Sequence, residues 1–330
     1  MKQILIIGGT GIIGKPTVFQ ALQSGYEVTT VGLNRAPEFP ESVRQIVVDR
    51  NDSDAFRKRI SELDQKWDVV FDVYNLGKSH AVQVHELFQG IARHVFVIST
   101  TLVYDRSKPS FSPIPSNQPL AKLGTMGGYV DQKLSLERYW QAVKDLNWTI
   151  LRPYHIVGAG SLLGCVPMHN RDPELLDRIQ RGQPLALCSG GNSTFNFIHP
   201  KDIASIVLRS AGNPKTFRKS YNAVNPEKIL AKNYYYLIGN VLGKKVLIEN
   251  KPIREVWDEQ NGWVLTTLPH EYDVSDLERD VGFVPSIPLE KSIREAIQHY
   301  PTKNKKRATI PIHQRMTLPP FPKKINWLLT

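Results

Sequence analysis

The chain has 330 residues, 41% of them hydrophobic and 22% charged, an ordinary composition for a globular protein of one large or two modest domains. No run approaches the roughly 20 apolar residues of a membrane span. The two cysteines, Cys165 and Cys188, lack metal-like spacing, which points to a reducing, cytoplasmic setting without a disulfide framework or bound metal. The formal net charge is +11, but seven of those charges (Lys303, Lys305, Lys306, Arg307, Arg315, Lys323, Lys324) fall after Ala296, where there is no acid. The basicity therefore belongs largely to a tail, which weakens the case for a nucleic-acid-binding fold.

In chain order, residues 3–7 form a short β-branched apolar run. It is too short for a secretory signal and meets glycines at once, so it reads as a buried parallel strand. Residues 14–23 carry a helical pattern that stops at Gly25, and strands are expected at 27–31 and 45–48. A polar helix over 52–63 precedes a fourth strand at 68–73; a helix over 79–92 precedes a fifth at 94–98. A Pro- and Ser-rich loop covers 107–119, a long helix 127–145, and a sixth strand 148–151. Strands alternating with helices over this length predict a doubly wound, Rossmann-type α/β fold with a parallel sheet.

The second half is less regular. Helices are expected over 173–181, 203–211, 231–242 and 289–298, and strands over 221–224 and 245–249. Residues 1–155 are read as the nucleotide domain, with a returning segment at about 196–225. A smaller α+β substrate domain takes about 156–195 and 226–300. Residues 301–330 form a basic, Pro-containing tail.

Gly8, Gly11 and Gly14 give the spacing G-x-x-G-x-x-G between a predicted strand and a predicted helix, as a dinucleotide site demands. Glycines permit the tight turn, the approach of backbone to the pyrophosphate, and close helix–strand packing. The helix N-terminus then offers free N–H groups to the phosphates. The loop residues expected at the cofactor are Gly8, Thr10, Gly11, Ile12, Ile13 and Gly14. After the second strand no acid waits for a ribose 2′-hydroxyl; Asn34 and Arg35 stand there instead. Arg35 suits a 2′-phosphate, so NADP is expected over NAD. Asp49 and Arg50 are placed to flank the adenine, and Tyr74 and Tyr154 follow strands four and six as further cofactor residues.

Tyr129 and Lys133 lie four apart on one helical face. Facing a nicotinamide, a phenol and an ammonium so spaced form a proton-transfer device for carbonyl/alcohol redox chemistry. A free phenol titrates near ~10, and bringing it near ~7 needs roughly 4 kcal/mol of phenolate stabilisation. Lys133 and the cofactor's positive charge can supply it.

With the glycine loop, Ile98-Ser99-Thr100-Thr101-Leu102-Val103-Tyr104, Tyr129 to Lys133, Leu151-Arg152-Pro153 and Phe197-Ile198-His199-Pro200-Lys201-Asp202, the chain resembles extended or atypical short-chain dehydrogenases/reductases of the NAD-dependent epimerase/dehydratase family over about residues 1–300. The resemblance implies a catalytic hydroxyl at Thr100, beside Tyr129 and Lys133, and pairing of two helices into a homodimer. Lys133 would also hold the nicotinamide ribose. It further implies substrate contacts at Thr101 and His155, where sugar epimerases carry Asn at the latter position. Thr101-Leu102 replaces the Asp-Glu of dehydratases, which argues against water elimination. Phe195-Asn196 replaces an Arg-Asp pair common in nucleotide-sugar enzymes, which removes a diphosphate clamp.

The function so expected is NAD(P)-dependent hydride transfer at a secondary alcohol or ketone of a small molecule, as a net oxidoreductase or an epimerase. The substrate class runs from a nucleotide-linked sugar to a natural product. The alternative is an RNA-binding member of the same fold using the basic tail. Against it, the tail has few interleaved aromatics, only Phe321 and Trp327.

Overall fold

A computed structural model describes residues 1–106, 112–164, 172, 174–252 and 264–300. The basic tail and Cys165 lie outside the described residues.

The first strand, β1 (Lys2–Ile7), is buried from Ile4 onward. Its side chains alternate between two cores: Ile4 and Ile6 join one cluster, Leu5 and Ile7 the other. That explains an unbroken apolar run where a half-exposed strand would alternate. On either side, β1 pairs in parallel with β2 (Tyr26–Gly32) and β4 (Val69–Asp72). Next come β3 (Arg44–Val47), β5 (Val95–Ile98) and β6 (Trp148–Pro153), then the short β7 (His155–Ile156), β8 (Leu185–Cys188), β9 (Thr194–Phe195) and β10 (Phe197–Ile198). The last strands are β11 (Lys219–Ala223), β12 (Ile229–Leu230) and β13 (Ile248–Lys251). The main sheet has seven strands in the order β11-β6-β5-β4-β1-β2-β3, all neighbours parallel.

Helices cover both faces. On one, α1 (Gly14–Gln23) packs beside α6 (Pro200–Ser210), with Val18, Ala21, Ile203 and Val207 in the shared core. On the other lie α2 (Ser53–Ser61), α3 (Lys78–Phe88) and α4 (Gly128–Ala142), which contribute Phe56, Phe88, Leu136 and Trp140. This is the doubly wound α/β architecture expected. A third core gathers the C-terminal half: α5 (Leu175–Gln180), β8, α7 (Ala231–Leu242) and, after the short α8 (Val264–Thr267) and α9 (Ser275–Val281), α10 (Leu289–Gln298).

Seven elements, β7, β8, β9, β10, β12, α8 and α9, escape the sequence pattern, and β8 and α9 show why. Only four residues long, β8 is bracketed by Pro184 and Gly190, and its partner β13 begins three residues later than the expected strand. In α9, only Leu277 and Asp280 are buried, so no apolar period announces it.

Candidate active site

Strand order reverses between β1 and β4, and ligands of open α/β sheets bind outside the carboxyl ends of strands at such a point. Gly8 leaves β1 there with φ +90°, a conformation that side chains resist. A Cβ on Gly14 would stand 2.3 Å from the Gly8 carbonyl oxygen, so only glycine lets α1 start this close to the turn. No side chain caps α1; the Lys15 N–H donates to the Gly11 carbonyl and Pro16 has none, which leaves the Gly14 N–H of its first turn for an anion. Gly11 and Ile12 are exposed at the loop apex, Thr10 is half-buried and Ile13 is buried. This cradle fits a dinucleotide pyrophosphate.

Beyond β2, Asn34 and Arg35 are exposed, while Glu38 of the following loop pairs with Lys15 of α1. Asp49 is exposed, its Oδ1 accepting from the Asn51 N–H at 2.8 Å in a turn that leads into α2. Tyr74 is exposed beside the glycine loop. Arg50 corrects the sequence reading. It turns inward, 4% exposed, and its Nη1 pairs with Asp72 Oδ1 at 2.5 Å. It also donates to the Tyr74 carbonyl and to Gln83 Oε1. A buried Asp72 needs a cation, and Arg50 provides it instead of flanking an adenine.

The start of α4 is fixed by Asp131, whose Oδ1 and Oδ2 accept from the Gly124 and Gly127 N–H groups at 2.9 and 2.5 Å. This side-chain bracket sets the pitch at which Tyr129 and Lys133 emerge. Lys133 is buried, with Nζ 2.9 Å from both the Asn75 and Ile98 carbonyl oxygens and also bonded to Asn75 Oδ1. Burial pulls its ammonium down to about 8, with Asp72 opposing and Arg50 assisting. The Lys133 Nζ lies 5.6 Å from the centre of the half-buried Tyr129 ring. Thr100 follows Ile98 by two residues at the end of β5. Its hydroxyl oxygen accepts from the Leu102 N–H at 3.3 Å, which leaves its own proton to donate. The Lys133–Ile98 bond thus ties α4 to the strand end that carries Thr100.

One turn further along the same face of α4, Glu137 holds Arg152 of β6 through Nε and Nη2 at 2.9 and 2.6 Å. Arg152 Nη1 continues to the Tyr104 hydroxyl at 2.9 Å, and Tyr104 donates to Asn222 Oδ1 of β11 at 2.5 Å. Burial raises the Tyr104 phenol to about 12.

The model of the NAD dependent epimerase/dehydratase family matches residues 4–224. The chain belongs to this family. A solved UDP-glucose 4-epimerase from Thermotoga maritima, in a structure with UDP-glucose, has the same fold: TM-score 0.70 and 15% identity over 90% of this chain and 98% of that one. So does the enzyme WbmH of Bordetella bronchiseptica in complex with NAD+, with TM-score 0.71 and 16% identity over 91% and 98%. Among curated proteins, the chloroplast stem-loop binding protein of 41 kDa b of Arabidopsis thaliana is 24% identical over 67% of this chain. The match spans 58% of that relative's own length.

After β6 the chain packs aromatic rings. Tyr154 is 7% exposed and stacked on His270, ring centres 4.4 Å apart. Its phenol therefore serves packing, a correction to its reading as a cofactor residue. His155 is fully buried, with Nε2 3.0 Å from the Tyr234 hydroxyl and its ring edge-on to Phe195. It thus joins the C-terminal core, whereas the expectation put it at the substrate. Thr101 is buried, and with Arg106 it eases the strong upward push that burial exerts on the Tyr272 phenol. Asn196 is also internal, accepting from the Tyr272 N–H at 2.7 Å and donating to the Glu227 carbonyl at 2.9 Å. The sequence reading missed Asn75, Asp131 and the Glu137–Arg152 pair. The spacing of Glu137 four residues beyond Lys133 was the available signal for one of them.

Proposed function

We propose that this protein transfers hydride between a nicotinamide dinucleotide and a secondary alcohol or ketone of a small molecule, as an oxidoreductase or an epimerase. The observation that carries the reading is Lys133, bonded to the end of β5 with the Tyr129 ring beside it, next to a phosphate cradle at the sheet's switch point. When bound, the nicotinamide supplies the hydride donor or acceptor. The cradle of Gly8, Gly11 and Gly14 would hold the pyrophosphate. Thr100 donates a hydrogen bond to the substrate oxygen, and Tyr129 gives or takes that oxygen's proton. Lys133 stabilises the phenolate and meets the ribose hydroxyls.

The finer cofactor reading is NADP, supported by the exposed Arg35 and by Leu33, Asn34 and Arg35, not an acid, standing directly after β2. The family and the NAD complex of WbmH favour NAD. Titrating both cofactors into the wild type and Arg35→Ser decides. The NADP reading predicts tighter wild-type binding of NADP, with at least a tenfold loss in the variant and little change for NAD. A wild-type preference for NAD contradicts it.

For the substrate, the UDP-glucose structure supports a nucleotide sugar. Buried, uncharged Phe195 and Asn196 support a molecule without a diphosphate. Hydride transfer to the bound cofactor from a panel holding both classes separates them. A second reading, RNA binding, draws on the stem-loop-binding relative and the seven cations of the tail. It predicts that deleting residues 302–330 abolishes salt-sensitive RNA retention; unchanged retention removes it.

A further inference from the structure

The loop after β4 runs Tyr74-Asn75-Leu76-Gly77. Asn75 is 2% exposed there. Its Nδ2 donates to the Asp72 carbonyl at 2.8 Å, which pins the residue to the strand end. Both of its oxygens then point at Lys133: the main-chain oxygen accepts from Nζ at 2.9 Å and Oδ1 accepts a second bond. The third ammonium hydrogen goes to the Ile98 carbonyl. An ammonium has three donors, and all three are engaged.

We propose that Asn75 is the positioning residue for Lys133, its two oxygens holding the charged ammonium between the ends of β4 and β5 until the hydroxyls of a nucleotide ribose take over part of that clamp. The proposal rests on the reading of Lys133 as the cofactor-facing lysine. It also explains how a buried ammonium keeps its proton. Asp72 at the end of β4 and Glu137 on α4 favour the charge, and Arg50 beyond β3 opposes it. His80 of α3, drawn down to about 4 chiefly by burial, adds no charge near neutral pH, and the Tyr129 ring faces Nζ. Hydrogen bonds to the charged form raise a lysine's titration point, so Asn75 Oδ1 acts against the burial that lowers it.

The test is the pH dependence of binding of NAD+ or NADP+, whichever the wild type binds more tightly, read from protein fluorescence between pH 6 and 10, in the wild type, Asn75→Leu and Asn75→Asp. Lys133→Met identifies the Lys133 titration by abolishing it. The proposal predicts a basic-side loss of affinity whose midpoint moves down in Asn75→Leu and up in Asn75→Asp, each by about one pH unit. If Asn75→Leu does not fold, Asn75→Ser replaces it and must also move the midpoint down. Midpoints that stay put, or that move the same way in the Leu and Asp variants, overturn the proposal. A dinucleotide that binds with an unmoved midpoint refutes the role of Asn75 alone. A wild type that binds neither NAD+ nor NADP+ at any pH refutes the functional reading beneath it.

Discussion

At the scale of residues, the interior of this sheet carries more charge and imidazole than its apolar strands suggest. His94, just before β5, has Nε2 2.8 Å from Thr149 Oγ1, and Thr149 itself donates to the Thr216 carbonyl. The imidazole therefore donates from Nε2, while Nδ1 accepts from the Gly212 N–H at 3.3 Å. Both nitrogens are committed to the neutral ring, and burial pushes its titration down to about 3. A depressed histidine contributes stability that is complete above its unfolded value of 6.5 and is lost as pH falls toward the folded one. The expected loss from His94 alone is about 2 kcal/mol at pH 5. Thermal melts at pH 7 and pH 5 should show a smaller acid-induced drop in His94→Gln than in the wild type; equal drops would contradict this account. Lys133 illustrates the same competition at the candidate site. Its buried amine remains useful only because oxygens from two strand ends surround it.

At the scale of elements, α4 is the piece that joins the proposed proton-transfer pair to the scaffold. Tyr129 and Lys133 project from its first turns, and Glu137 fastens it to β6 through Arg152. Removing one member of a buried ion pair strands the other, at a cost of about 3–5 kcal/mol. Glu137→Leu should therefore lower unfolding free energy in urea by that amount; a loss below about 1 kcal/mol would mean the pair does not anchor the helix. The elements legible in the sequence are those whose burial has a period. Fully buried on both faces, β1 reads as a continuous apolar run, and α7 stops at Gly243, which takes the left-handed conformation at φ +65°. The hidden ones lack such a period. Only Leu277 and Asp280 of α9 are buried, and β8 owes its place to pairing with the distant β13.

At the scale of the whole molecule, the switch point between β1 and β4 brings the glycine loop, the loop after β4 and the face of α4 together. Spacing alone announces the glycines and the Tyr129/Lys133 pair, because each is a short motif, while Thr100 comes from the family resemblance. Arg50, Tyr154 and His155 could not be read that way. Their roles depend on partners far along the chain: Asp72, His270 and Tyr234 respectively. The same long-range packing hid Asn75, whose contact with Lys133 spans 58 residues. In the proposed reaction Tyr129 moves the substrate proton while the fold around it binds the dinucleotide. Tyr129→Phe tests it most directly, with cofactor affinity and hydride transfer measured on one preparation. The account predicts affinity within about twofold of the wild type and turnover reduced by at least a hundredfold, the scale of a lost general acid–base group. Retained turnover in Tyr129→Phe would contradict it.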